Sequence, residues 1–222
     1  MYTQVIFDLD GTLLDTLEDL ARSANHVCQA HGWPTFPTEA YRYKVGNGVE
    51  KLVERFMPAE FAGNPLIAGR ALAEFRAYYD AHKEDHTHPY AGVAGLLDAL
   101  RKAGITLAVL TNKDHAAARP LVERHFGPGC FSVVQGHIDG YEPKPAPPIT
   151  LHVLEQLDGD PGSTLYVGDS NVDVACGHNA GLDVAGVTWG FRGREELERA
   201  GADYVVDSPA ELARVIGLPD GL

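Results

Sequence analysis

No apolar run in this sequence approaches the length of a membrane span, and no cluster of Lys and Arg marks a nucleic-acid face. The first lack argues against a membrane-spanning helix. The second, with a formal net charge of −13, argues against a partner held by its phosphate backbone. Cysteine is scarce. Cys28, Cys130 and Cys176 are the only three, none forms a CxxC, and the odd count points to separate reduced thiols rather than a disulfide framework. A basic leader is missing too: Met1-Tyr2-Thr3-Gln4 runs straight into a strand-like segment, so a cytoplasmic protein is expected. Positive charge is in short supply, with 18 Lys and Arg against 31 Asp and Glu. Such a chain repels anions at long range. Chemistry on a phosphate ester would therefore need a cation supplied locally, from a metal or a placed lysine.

What is present is the composition of an ordinary globular protein, 45% apolar and 22% charged over 222 residues. The length suits one core domain with a modest second unit, and it buries a sizeable core without disulfide staples. Val5-Ile6-Phe7 precedes Asp8-Leu9-Asp10-Gly11-Thr12, the pattern of a buried strand that ends in a polar loop. Asp15 or Thr16 is placed to cap a following helix that carries Leu17, Leu20, Ala21 and Ala24 on one face. On to about residue 85 the chain reads as helices punctuated by Gly32-Trp33-Pro34, Gly46-Asn47-Gly48 and Gly63-Asn64-Pro65, with no convincing strand.

After Pro89-Tyr90 helical and extended segments alternate. Strands are expected at 106–110, 131–134, 164–167, 184–188 and 204–206, and helices at 96–102, 116–125, 149–156, 172–180, 194–199 and 210–216. This alternation predicts an α/β fold, a Rossmann-like parallel sheet with helices on both faces. An all-helical insertion follows the first strand, giving a core of residues 1–14 and 86–222 and an insertion of residues 15–85.

Polar clusters gather after these strands. Asp8 and Asp10 stand two positions apart at a strand end, so both carboxylates face one side. An ordinary Asp-rich turn would look the same. Thr111 and Asn112 follow the second core strand, where they are suited to donate to a phosphoryl oxygen or simply to cap a helix. Lys144 stands between Pro143 and Pro145, which restrict the backbone and can hold an ammonium in place, although a lone loop lysine is usually solvated. In Gly168-Asp169-Ser170-Asn171-Val172-Asp173 the two aspartates fall one helical turn apart. Capping would explain one of them; beside Asp8, both make an oxygen-rich pocket suited to Mg²⁺. Chance explains each cluster alone better than it explains the set in this order.

The motifs Asp8-Leu9-Asp10-Gly11-Thr12-Leu13, Leu110-Thr111-Asn112, Lys144-Pro145 and Gly168-Asp169-Ser170-x-x-Asp173 resemble those of the haloacid dehalogenase superfamily of phosphotransferases. The helical insertion resembles that superfamily's cap. Within it, bacterial phosphoglycolate phosphatases are the most similar branch, through Val45-Gly46-Asn47-Gly48-Val49, Pro89-Tyr90-Ala91-Gly92-Val93, residues 175–181, Gly186-Val187-Thr188-Trp189-Gly190-Phe191 and the stretch from Ala200 to Pro209. Ala146 departs from the Asp that relatives often carry after Lys-Pro, at a position with no catalytic role in the family.

The resemblance implies that Asp8 attacks phosphorus, that Asp10 serves as acid and then base, and that Thr111, Asn112 and Lys144 bind the phosphoryl group. It also implies that Asp8, the Asp10 carbonyl and Asp169 hold Mg²⁺, with Asp173 on a metal-bound water or on Lys144. The expected substrate is a small phosphorylated metabolite such as 2-phosphoglycolate, handled by a monomer or homodimer with no nucleic-acid or membrane partner. The loop Gly46-Asn47-Gly48 can approach a ligand closely, and Arg42, Lys44 and Lys51 beside it are candidates to meet a leaving-group carboxylate. His82, His86 and His88 read as a polar hinge rather than a zinc site.

Three rivals use related chemistry. A sugar phosphomutase shares every core motif. A receiver module keeps its lysine near its end, whereas Lys144 precedes the last acidic cluster here. A dehalogenase has no use for Asp10.

Overall fold

A computed structural model describes residues 1–61 and 63–218. In chain order the elements are β1 (Gln4–Phe7), β2 (Leu14–Asp15), α1 (Leu17–Ala30), α2 (Val49–Phe56), α3 (Pro65–His82), β3 (His88–Pro89), α4 (Val93–Lys102), β4 (Thr106–Asp114), α5 (His115–Phe126) and β5 (Val133–His137). They continue as α6 (Pro147–Gln156), β6 (Thr164–Gly168), α7 (Asn171–Asn179), β7 (Asp183–Val187), α8 (Arg194–Ala200), β8 (Tyr204–Val206) and α9 (Pro209–Ile216). Among the described residues, no helix is long and apolar enough to cross a membrane.

Six strands form one parallel sheet in the order β5-β4-β1-β6-β7-β8. Its period of two sorts side chains between two cores. Val5, Phe7, Val109 and Val167 face one side, where Leu97 of α4, Leu121 of α5 and Ile216 of α9 cover them. Ile6, Ala108, Leu110 and Tyr166 face the other, beneath Val153 of α6, Val174 of α7 and Leu197 of α8. Burial on both faces explains why β1 and β6 read as continuous apolar runs rather than alternating ones.

A third core belongs to the helical insertion. Leu20, Ala24 and Val27 of α1 pack with Leu52 and Phe56 of α2 and with Phe75 and Tyr79 of α3, and Phe191 reaches in from the sheet domain. Asn64 caps α3 by accepting from the N–H groups of Leu66 and Ile67.

The structure corrects three local expectations. The insertion is framed by a two-stranded ribbon, β2 against β3, in which Leu14 lies opposite Pro89 and Asp15 opposite His88. Strands this short carry no readable period. β4 runs on to Asp114, past the expected end at residue 110, because its register against β5 shifts between Leu110 and Asp114 and accommodates the polar Thr111-Asn112-Lys113. Of the two residues placed to cap α1, Thr16 donates its hydroxyl to Asp10 instead, while Asp15 Oδ1 accepts from the Leu17 N–H at 3.2 Å.

Candidate active site

Three neighbouring strands end at the site. The chain builds outward from β1 in two directions, through β4 to β5 and through β6 to β8. Loops leaving such a switch point diverge and open a crevice at the carboxyl edge of the sheet. Asp8 and Asp10 follow β1, Thr111 to Lys113 finish β4, and Asp169 follows β6. The Asp8 N–H donates to the Val167 carbonyl at 2.8 Å, which locks the nucleophile candidate to the neighbouring strand.

Lys144 is the hub of the cluster. Its Nζ donates to Asp8 Oδ1 at 2.7 Å and to Asp173 Oδ1 at 2.8 Å, and it also meets the Tyr166 hydroxyl at 3.0 Å and the Leu110 carbonyl at 3.2 Å. Its backbone N–H donates to Asn112 Oδ1 at 2.8 Å. Asn112 Nδ2 in turn donates to the carbonyls of Lys144 and Gly46, both at 3.1 Å. Both side-chain N–H groups of Asn112 are therefore committed to bracing Lys144 and the insertion, which leaves neither for a phosphoryl oxygen. The Thr111 hydroxyl accepts from the Lys113 N–H at 3.2 Å and keeps its own hydrogen to donate. Asp173 is fixed by a capping box at the start of α7, with the Ser170 hydroxyl donating to its Oδ2 at 2.6 Å.

Asp8, Asp169 and Asp173 each offer a carboxylate oxygen within 4.8 Å of the others, and all three residues are buried. One ammonium, that of Lys144, shares this pocket. Three carboxylates and one ammonium leave two negative charges, the complement of a divalent cation. Burial and the Asp173 charge push Asp8 up to about 7, and the same causes, with Asp8 as a further neighbour, hold Asp169 well above the carboxylate range. Lys144 is pushed the other way from a desolvated amine, its ammonium favoured by Asp173 and Asp8 despite burial. The donor set thus fits a hard, oxygen-loving cation. Asp169 is held against two glycines: a Cβ on Gly11 would meet its carboxylate, and a Cβ on Gly190 would meet both Asp169 and the Gly11 carbonyl. The Phe191 N–H donates to Asp169 Oδ2 at 2.6 Å.

Asp10 lies outside that cluster. Its Oδ1 accepts from the Thr16 hydroxyl at 2.7 Å and from Lys113 Nζ at 2.8 Å. Its carboxylate is thus not brought to the three others, and a contribution to the cation would fall to its carbonyl. Lys113 is one site residue that sequence reasoning missed. Its side chain is only 6% exposed, its Nζ lies 4.8 Å from the centre of the Tyr79 ring, and Asp10 favours its ammonium form despite burial. A signal was there to read: Thr111 and Lys113 repeat the two-residue spacing of Asp8 and Asp10 at the adjoining strand end.

A cavity of about 130 Å³ lies over Asp8 and Asp10, between the sheet edge and the insertion. Gly46 and Gly48 line it, as their spacing suggested, both with positive φ. Asn47 does not; its Oδ1 accepts from Arg55 at 2.7 Å in a separate groove. Arg42 donates to the Gly190 carbonyl at 2.9 Å, Lys44 to the Arg55 carbonyl at 2.9 Å, and Lys51 to Glu54 at 2.7 Å, so none of these cations lines the cavity. The cation that the insertion does contribute is Arg76 of α3.

Comparison with known proteins agrees with this architecture. The phosphoglycolate phosphatase of Vibrio vulnificus strain YJ016 is 34% identical over 218 residues, covering 96% of this chain and 95% of that one. The phosphoglycolate phosphatase of Chromobacterium violaceum is 37% identical over 211 residues, covering 94% and 93%. A solved structure from Lactobacillus delbrueckii subsp. bulgaricus, a candidate phosphoglycolate phosphatase, superposes with a TM-score of 0.91 at 31% identity, covering 97% and 98%. The family model described as haloacid dehalogenase-like hydrolase matches residues 5–187, a span from β1 to the end of β7 that holds every residue of the cluster around Lys144. The chain belongs to the haloacid dehalogenase-like hydrolases.

Proposed function

We propose that this hydrolase is a Mg²⁺-dependent phosphatase that converts 2-phosphoglycolate to glycolate and inorganic phosphate through a phosphorylated Asp8. The size of the cavity carries the reading. A cavity of roughly 150 Å³ accommodates one benzene ring, so about 130 Å³ over Asp8 suits a small leaving group better than a hexose or a nucleoside. The names borne by the curated relatives support the same substrate.

The chemistry follows from what each side chain is free to do. Asp8 Oδ1 is held by Lys144, so Oδ2 is left to attack phosphorus. As the new O–P bond forms, the ester O–P bond breaks and its electron pair stays on the leaving oxygen. Asp10 protonates that oxygen. Thr16 and Lys113 both engage its Oδ1, which leaves Oδ2 uncommitted on a residue that lines the cavity. Asp10 then takes a proton from water as it attacks the aspartyl-phosphate, and hydrolysis returns Asp8 and releases phosphate. Lys144 offsets charge on Asp8 and on the phosphoryl group throughout, and Thr111 donates to a phosphoryl oxygen. Mg²⁺ held by Asp8 and Asp169 would supply the remaining positive charge. Helices of the insertion roof the cavity and exclude bulk water during transfer.

The test is phosphate release from a panel of 2-phosphoglycolate, a hexose phosphate, a nucleoside monophosphate, pyrophosphate and p-nitrophenyl phosphate. The expected result is a kcat/KM on 2-phosphoglycolate at least about tenfold above each of the others. A higher value on another ester would transfer the assignment to it, and isomer formation without phosphate release would make the protein a mutase.

A further inference from the structure

We infer that Arg76 and Tyr79, one turn apart on α3, are the residues that select an acidic leaving group, by donating to its carboxylate. The inference rests on the reading of the Asp8 cavity as the site of phosphoryl transfer.

Cavity-lining residues supply the first argument. Phosphoryl chemistry at Asp8 is common to all phosphate esters, so discrimination falls to groups that meet the other end of the substrate. Arg76 is the only cationic side chain that the insertion sends to this cavity among the described residues. Arg42, Lys44 and Lys51, nearer in sequence to the glycine loop, are spent elsewhere.

Hydrogen bonding supplies the second. Arg76 Nε donates to Asp114 Oδ2 at 2.9 Å and Nη2 to Glu50 Oε1 at 2.8 Å, while Nη1 has no partner among the described residues. A guanidinium carries five N–H donors, so two remain on Nη1. Tyr79 is 5% exposed and lines the same cavity, where Lys113 Nζ lies 4.8 Å from its ring centre, yet among the described residues its hydroxyl makes no hydrogen bond of normal geometry. A buried phenol left unpaired costs free energy and calls for an explanation; a bound acceptor supplies one. Burial holds its pKa up at about 12, so it stays a donor. Spacing of i and i+3 places both groups on one face of α3.

Asp114 stands at the end of β4 in the sheet domain, and its carboxylate already sits on the Arg76 guanidinium across the cleft. It occupies the position a substrate carboxylate would seek and so competes with one. Asp80, which also lines the cavity, pairs with Lys83 at 2.9 Å and does not contend for Arg76.

The experiment compares 2-phosphoglycolate with 2-hydroxyethyl phosphate, which replaces the carboxylate by a neutral group of similar size. Wild type should favour the acid. Arg76→Gln should raise KM for 2-phosphoglycolate by about tenfold to a hundredfold, the worth of a hydrogen bond to a charged group, with kcat/KM on the neutral ester within about twofold of wild type. Tyr79→Phe should act in the same direction by about fivefold. Asp114→Asn removes the competing anion and should lower KM for the acid, a result that a merely structural tie would not give. Equal losses on both esters would overturn the inference, as would a wild type indifferent to the carboxylate. If wild type instead prefers a different carboxylated ester, with the same response to Arg76→Gln, the inference stands and the assignment to phosphoglycolate falls.

Discussion

At the scale of the residue, the site keeps more negative charge than its lysine neutralises, and this sets the direction of the first prediction. Asp8 is held up to about 7 by burial and by Asp173, so at pH 7.5 the folded protein bears an ionised group that it would rather keep protonated. Asp8→Asn removes that charge and preserves the shape. Turnover should fall by at least about a thousandfold, because the attacking oxygen is lost. Measured without divalent cation at pH 7.5, the variant should nonetheless melt above the wild type, as expected where function is maintained against stability. A variant that melts lower would mean that the Lys144 pair outweighs the repulsion. That such groups would converge was legible in advance from their places at or beyond strand ends, since Asp8, Asp10, Thr111, Lys144, Asp169 and Asp173 all lie around one crevice. What stayed hidden was which hydrogen bond each group would be committed to. Asn112 and Thr16 show the difficulty, since a side chain with several suitable partners is assigned only by the packing around it.

At the scale of the element, strands buried on both faces declared themselves by apolar runs, and the alternation of helix and strand announced a parallel sheet with helices on both faces, though not the order of its strands. Framing of the insertion was not legible, because it depends on tertiary hydrogen bonds rather than on periodicity. Asp19 of α1 is the clearest case. It is 1% exposed, and its carboxylate accepts from the His86 N–H at 3.0 Å and from the Thr87 N–H and hydroxyl at 2.8 Å. An aspartate one turn into a helix looks like a dipole partner in the sequence; here it clamps the chain where it returns from the insertion. Asp19→Ala would leave the Thr87 N–H and hydroxyl buried and unpaired. The expected cost is about 3 kcal/mol, a loss of roughly 6–12 °C in Tm for a chain of this size. Asp19→Asn, which keeps an acceptor, should lose less. A thermal melt of the two variants checks the ordering, and equal losses would show that the charge rather than the acceptor is what matters.

At the scale of the whole molecule, titration and cation binding are one equilibrium. Asp8 rises from 3.8 to about 7 on folding, so between those values the folded state holds more protons than the unfolded chain. Stability of the cation-free protein should therefore be fullest below about 4 on this account and decline as pH rises through about 7. A cation binds the ionised carboxylates and reverses the trend. The rise in Tm on adding Mg²⁺ should be larger at pH 7.5 than at pH 5, and at a hundredfold excess over its Kd should correspond to about 2.7 kcal/mol. Equal rises at both pH values would separate the cation from the carboxylate cluster. The same cluster also dictates when activity can begin during synthesis. The proposed nucleophile lies at residue 8, its lysine at 144, the acidic partners at 169 and 173, and the N–H that orients Asp169 at 191. A chain growing from its N-terminus therefore carries the reactive carboxylate for most of its translation with nothing to activate it. Only after the strand bearing residues 164–168 and the segments that follow it have joined the first strand are all these groups together, so on the proposed mechanism a truncated or stalled product is chemically silent.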